Sequence, residues 1–118
     1  MTNRDVLHPM AQFAAWHLDG VCIPISSDTK PAELEYFVKN SKADIVVCAS
    51  EFTKRFDSLK AELNMPVLSL TKKDIDQACK SLVSRNAKVS LLKKDALIIY
   101  TSGTTGKPKG VVHTHGSL

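Results

Sequence analysis

Long hydrophobic runs are missing from this chain. No apolar stretch in its 118 residues approaches the roughly 20 that a membrane-spanning helix needs, so such a helix is excluded. Cysteine is scarce: Cys22, Cys48 and Cys79 are odd in number, far apart and without a CxxC pair, which leaves neither a disulfide framework nor a cysteine-based zinc site. Arginine is scarcer relative to charge, with three residues and no basic stripe interleaved with aromatics. That argues against a nucleic-acid partner. Met1 to Leu7 has neither the apolar core of a secretory signal nor an Arg-rich amphipathic pattern. With Cys22 and Cys48 inside apolar runs as small buried hydrophobes, the expected setting is reducing and intracellular, cytoplasmic or mitochondrial.

What is present is ordinary for a folded protein. Apolar residues make up 43% and charged residues 24%, which excludes disorder, collagen and coiled coil. A chain of this length can bury roughly two-thirds of its unfolded surface, as one small domain or as a piece of a larger one. The net charge of +4 is unevenly placed: residues 1–50 carry four Lys/Arg against six Asp/Glu, and residues 51–118 carry twelve against six. An anion is therefore expected near the C-terminal half.

Short β-branched runs alternate with helical stretches. His8-Pro9 opens a first helix, with Met10, Phe13, Ala14 and His17 at helical spacing and Gly20 as its stop. Phe13 and Trp16 read as core. Val21–Ile25 reads as a strand that Pro24 confines to an end or an edge. Pro31 starts a helix with Leu34, Phe37 and Val38 on one face. Asp44–Ala49 reads as a strand buried on both faces. Ser50 is placed to cap a helix carrying Phe52, Phe56, Leu59 and Leu63. Pro66–Leu70 reads as a third strand, and Thr71 with Asp74 as a capping box for a short helix ending near Leu82. Ser84–Lys94 reads as a connecting loop with Lys93-Lys94 as a solvated pair, and Ala96–Tyr100 as a fourth strand. Such alternation predicts an α/β fold with a mostly parallel sheet.

The chemistry lies after that strand, in Thr101-Ser102-Gly103-Thr104-Thr105-Gly106-Lys107-Pro108-Lys109-Gly110. Its three glycines allow positive φ and close approach of backbone to a ligand, and at least one of Gly103 and Gly106 is expected to use it. Consecutive backbone N–H groups in such a turn form an anion-binding concavity. Four hydroxyls and two lysines add donors and charge, so the loop suits a polyanion such as a triphosphate. It is not a Walker A loop, because Gly103 and Gly106 enclose two residues and Pro108 follows Lys107. A ligand-free Gly/Thr hairpin turn is the bland alternative. His113 and His115, two residues apart, give a weak metal signal: His113 reads as a strand residue and His115 as one that caps or packs at a helix start.

The run Tyr100–Gly110 resembles the phosphate-loop signature of the adenylate-forming superfamily, matching it at every defining position. The superfamily includes acyl-CoA synthetases, luciferases and the adenylation domains of peptide synthetases. Val111-Val112-His113-Thr114-His115 resembles it too, with a histidine usual at the place of His115. Ala11–Trp16 with Gly20-Val21 and Pro24-Ile25, then Glu33–Val38 and Ala43–Val47, resemble the passage that precedes the loop. Ala11–Phe52 is most similar to the malonyl-CoA synthetase-like branch.

The resemblance implies part of the large N-terminal domain of an AMP-forming acyl-CoA synthetase, ending in a phosphate-loop hairpin. Such an enzyme uses ATP and a fatty or dicarboxylic acid to form an acyl-adenylate and pyrophosphate, and coenzyme A then displaces AMP. It implies that Thr101, Ser102, Gly103, Thr104, Thr105 and Gly106 bind the β- and γ-phosphates with Mg2+, that Lys109 neutralises charge, and that Lys107 sits at a variable, solvated position. No catalytic residue is expected within residues 1–118, because the adenine motif, the ribose-binding aspartate and the late lysine of the family have no counterpart here. The expectation is a partial domain, cut at both ends, that does not catalyse adenylation alone. The alternatives are a shortened phosphate-binding or interaction module and a non-functional remnant.

Overall fold

The computed structural model describes residues 7–81, 92–101 and 106–118. The chain divides into two compact units, one of Met1–His8 and Ile25–Ser84, the other of Pro9–Pro24 and Arg85–Leu118. In order, the elements are helix α1 (Leu7–His17), helix α2 (Pro31–Ser41), strand β1 (Val46–Ala49), a 3₁₀ turn of helix (Ser50–Phe56), helix α3 (Asp57–Leu63), strand β2 (Val67–Leu70), helix α4 (Lys72–Ser81), strand β3 (Asp95–Thr101) and strand β4 (Lys109–Thr114).

In the first unit β1 and β2 pair in parallel, Val46 with Val67 through Ala49 with Leu70. Leu34 and Val38 of α2, one turn apart on the same face, cover that pair together with Phe56, Leu59 and Met65, and Val46 and Cys48 point into the same core. Helix α2 starts where sequence places it: Pro31 pre-sets the first helical φ, and the Lys30 N–H donates to the Glu33 carboxylate at 3.4 Å. Its end lies on Lys42, in the left-handed region at φ 53°, and α3 ends likewise on Asn64 at φ 47°. The Arg55 guanidinium donates to the carbonyls of Ser27 and Thr29, tying the loop before α2 to the 3₁₀ segment.

Two expectations need qualifying in this unit. Within these residues strand β1 is covered on one face: Val46 and Cys48 are buried, Val47 and Ala49 are half-buried, and Ile45 is exposed, the exposure expected of a strand suited to two covered faces in a partial domain. A continuous apolar run shows that a residue tolerates burial, and only a covering element decides which face receives it. Ser50 does not cap. It is the first residue of the 3₁₀ segment, preceded by Ala49 at the cap position with no side-chain hydrogen bond. Its carbonyl instead accepts from Thr53 Oγ1 at 2.9 Å, a local bond that suits the tighter turn.

The capping box before α4 is as the sequence reads. The Thr71 N–H donates to Asp74 Oδ2 at 2.8 Å and the Asp74 N–H donates to Thr71 Oγ1 at 3.3 Å. Hydrogen bonds from the Thr71 hydroxyl, then its backbone N–H, hold the Asp74 carboxyl below its ordinary range. A lowered carboxyl favours the folded state above the unfolded pKa, and that contribution is lost as pH falls through the folded one. The start of α4 is therefore expected to fray on acidification below the usual aspartate value of about 3.9. An NMR titration of Asp74 should give a midpoint below that of a free aspartate, rising in Thr71→Val. A midpoint at or above the free value refutes the cap.

In the second unit β3 and β4 form an antiparallel pair running from Leu97–His113 to Thr101–Lys109. Cys22 joins β3 from the other side as a parallel bridge to Leu97, its N–H donating to Ala96 O and its carbonyl accepting from Ile98 N–H, both at 2.9 Å. The expected strand Val21–Ile25 shortens to this one residue, because Pro24 has no N–H with which to extend a ladder. Helix α1 ends with Asp19, not Gly20, in the left-handed region at φ 59°. The Asp19 N–H donates to Trp16 O at 3.2 Å and the Gly20 N–H to Ala15 O at 2.8 Å, the paired bonds of a Schellman end.

The expected inner face of α1 is also corrected. Phe13 is 65% exposed, and Ala14 and His17 are exposed with it, while Ala15 and Trp16 are half-buried. The helix is apolar on nearly every side, so spacing alone does not choose a face. Trp16 does, because its indole N–H finds a covered acceptor in Ala96 O at 2.7 Å. Phe13 meets Trp16 edge-on, with ring centroids 5.5 Å apart, and stays at the surface. The pair Lys93-Lys94 is not simply solvated either: Lys94 Nζ lies 3.1 Å from Asp19 Oδ1.

Candidate functional site

Strands β3 and β4 are β-branched along their length, with Ile98, Ile99, Val111 and Val112 facing one another in two rungs. Directly opposed residues share a face, and faces alternate along the strand. Leu97/His113, Ile99/Val111 and Thr101/Lys109 therefore lie on one side of the ribbon, and Ile98/Val112 and Tyr100/Gly110 on the other. The last rung sets Thr101 and Lys109 directly opposite each other, where the chain leaves β3 and re-enters β4. Both residues are exposed, as are Gly106 and Lys107.

Of the expected phosphate-binding residues, Ser102, Gly103, Thr104 and Thr105 lie outside the described residues. Thr101 and Lys109 face each other in the last rung of the ribbon, and Gly106 lies in the connection that leads into β4. Gly106 has φ 91°, and a Cβ built there meets nothing within 4 Å. Conformation, not crowding, selects glycine at this position. Neither Lys107 nor Lys109 has an ion-pair partner among the described residues. Two lysines without acidic neighbours beside a backbone turn with space in front of it fit a polyanion. Among the described residues no group of three or more His, Cys, Asp or Glu could hold a metal ion.

Gly106→Ala should destabilise this turn by about 1–2 kcal/mol, the penalty an L side chain meets at positive φ. Urea denaturation of wild type and variant measures it, and an unchanged midpoint refutes the requirement for glycine. At Gly110 the constraint is space. A Cβ there would lie 3.0 Å from Ile98 Cγ2 and 3.3 Å from the Tyr100 ring, so those side chains must shift by a few tenths of an ångström to admit one.

The remaining candidates resolve into structural roles. His115 packs its ring against Trp16, centroids 5.2 Å apart, and its N–H donates to Lys94 O at 3.0 Å, in keeping with a packing role. His113 lies within β4. Burial pushes the thiols of Cys22 and Cys48 up, which keeps them protonated and unreactive at neutral pH. Sequence reasoning missed the indole bond from Trp16 to β3. A single tryptophan carries no spacing signal, and only the need of its N–H for a partner hinted at it.

The whole chain is similar to proteins of one family. A family model described as AMP-binding enzyme matches residues 1–118. The mitochondrial malonate–CoA ligase of Mus musculus is 35% identical over 119 residues, covering 100% of this chain and 20% of its own. The malonate–CoA ligase of Arabidopsis thaliana is 34% identical over 126 residues, covering 96% of this chain and 20% of its own. Among solved structures, ATP-bound MatB from Rhodopseudomonas palustris superposes with a TM-score of 0.76 at 26% identity, over 97% of this chain and 24% of that one. The chain thus spans about a fifth of the length of the curated relatives it matches.

Proposed function

Since this chain belongs to the AMP-binding enzyme family, we propose that it is part of an AMP-forming acyl-CoA synthetase whose acid is malonate or a similar dicarboxylate. The observation that carries the proposal is the ribbon mouth: Thr101 opposite Lys109, and Gly106 at φ 91°, on a sequence with the family's loop. The names of the mouse and Arabidopsis relatives support the choice of acid. The mouse relative's mitochondrial name supports an intracellular setting, and no helix among the described residues is long and apolar enough to cross a membrane.

In this reading ATP and the carboxylate form an acyl-adenylate, pyrophosphate leaves, and the thiol of coenzyme A displaces AMP. The residues of this chain act on the leaving group. Thr101 to Gly106 offer hydroxyl and backbone donors to the β- and γ-phosphates. Lys109, held by the ladder opposite Thr101, meets the negative charge that grows on pyrophosphate as its bond to the α-phosphorus breaks. Donors fixed in place before the charge develops need no reorganisation, which is how such groups lower a barrier. Mg2+ would accompany the phosphates; the described side chains supply it no ligand cluster.

The adenylation step needs nucleoside, carboxylate and phosphate held together within about 3–3.5 Å. These residues supply one part of that assembly, so residues 1–118 alone should not catalyse it. The test is acid-dependent exchange of labelled pyrophosphate into ATP. The full-length protein should exchange with malonate and residues 1–118 should not exceed a no-acid control. Failure of the full-length protein with both dicarboxylic and fatty acids overturns the proposal.

A further inference from the structure

We infer that Trp16 is a positioning residue for the phosphate grip, acting through the bulge at Ala96 that sets the register of β3 against β4. This rests on the reading of the ribbon mouth as a phosphate site. The ladder pairs Asp95 with Thr114 and Leu97 with His113, so two steps along β3 match one along β4 and Ala96 is the extra residue. Ala96 is fully buried, and its carbonyl, which β4 does not use, accepts from two donors: the Cys22 N–H at 2.9 Å and Trp16 Nε1 at 2.7 Å.

The same indole reaches the other strand. Its ring meets that of His115, one residue beyond β4, at a centroid distance of 5.2 Å and an angle of 71°. Trp16 thus holds both strands at the end away from the loop, through its one N–H on β3 and its ring edge against the exit of β4.

A grip some distance away depends on this because side chains alternate with a period of two. A slip of one residue between β3 and β4 would carry Lys109 away from Thr101 and onto the other face. Ala96 lies five residues from Thr101, roughly 17 Å at the usual strand rise. Over that length the ladder is held at one end by the bulge and at the other by the chain connection between Thr101 and Lys109. Among the described residues, Trp16 supplies the side-chain donor that occupies the bulge carbonyl.

The experiment replaces Trp16, in the full-length protein, by β-(3-benzothienyl)alanine, which keeps the ring shape and lacks the N–H. Trp16→Phe is the genetically encoded companion. Three readouts are taken: amide hydrogen exchange, binding of inorganic pyrophosphate by calorimetry, and KM for ATP and for the acid. Expected are exchange at Cys22 and Ile98 faster by about three- to tenfold, the fold-change of one lost hydrogen bond, with β1 and β2 unchanged. Pyrophosphate binding should weaken and KM for ATP should rise by a similar factor, with KM for the acid within about twofold.

Unchanged exchange at Cys22 and Ile98 overturns the inference. Faster exchange with unchanged pyrophosphate affinity also overturns it, since the indole then braces the ribbon without positioning the grip. An equal rise in both KM values overturns it as a general loosening. A wild-type protein that binds pyrophosphate without acid-dependent exchange into ATP would overturn the ligase reading instead, and the first two readouts would still decide the role of Trp16.

Discussion

Replacing Lys109 by alanine in the full-length protein is expected to lower kcat/KM for ATP by about 10- to 100-fold and to leave KM for the acid unchanged. Lys109 opens β4 opposite Thr101, is exposed, and has no ion-pair partner among the described residues. Its charge is therefore available to a phosphate. A hydrogen bond to a charged group contributes about 1.5–3 kcal/mol, and each 1.36 kcal/mol is a factor of ten in rate. Lys107→Ala is the control: it also removes one positive charge from the loop, but from a position outside the ladder, and should change the same constant by less. Steady-state kinetics with each substrate varied in turn makes the measurement. An unaltered kcat/KM for ATP in Lys109→Ala, or an equal loss in both variants, removes Lys109 from the site.

Phe56→Ala should cause the largest loss of stability in the chain, about 3–5 kcal/mol. Phe56 is 1% exposed and is among the largest fully buried side chains, lying where the 3₁₀ segment gives way to α3 among Leu34, Val38, Cys48 and Leu59. Removing the ring takes apolar surface out of a packed site and leaves a cavity that two short strands cannot collapse to fill. Against a typical total of about 5–15 kcal/mol, the loss is a large fraction. Urea denaturation followed by amide exchange in β1 and α2 reads it, with Phe56→Leu expected to lose less. A loss below about 1 kcal/mol would mean that Phe56 is not the centre of this core.

The parts legible in the sequence are those where one residue type has one physical reason. Pro31 could only begin a helix, Thr71 and Asp74 are spaced to bond each other's backbone, and three glycines in eight residues mark a backbone that must turn near a ligand. The parts that were not legible depend on a partner distant in sequence. Ile45 and Val47 look as buried as Val46 and Cys48 until α2 covers one side of β1. Phe13 looks more internal than Ala15 until Trp16 finds Ala96. The alternation of strands and helices suggested a mostly parallel sheet, and β1–β2 and the Cys22–Leu97 bridge are parallel, whereas β3–β4 is antiparallel. The family resemblance places a hairpin at the Gly/Thr segment, which strand–helix alternation alone does not predict. For the site, the motif names Thr101 and Lys109 but does not show the ladder that sets them opposite each other.

The second unit is assembled from the two ends of the chain, with the whole of Ile25–Ser84 intervening. The bond from Trp16 to Ala96 joins residues 80 apart in sequence. During synthesis, Trp16 and Cys22 therefore emerge long before the strand they bind, and the first unit can complete its local contacts in the interval. Closing so long a loop is entropically unfavourable until the ribbon exists to reward it, and folds dominated by such distant pairings form slowly. What forms late is the docking of Trp16 and Cys22 on the phosphate-loop ribbon, whose own β3–β4 pairing is local.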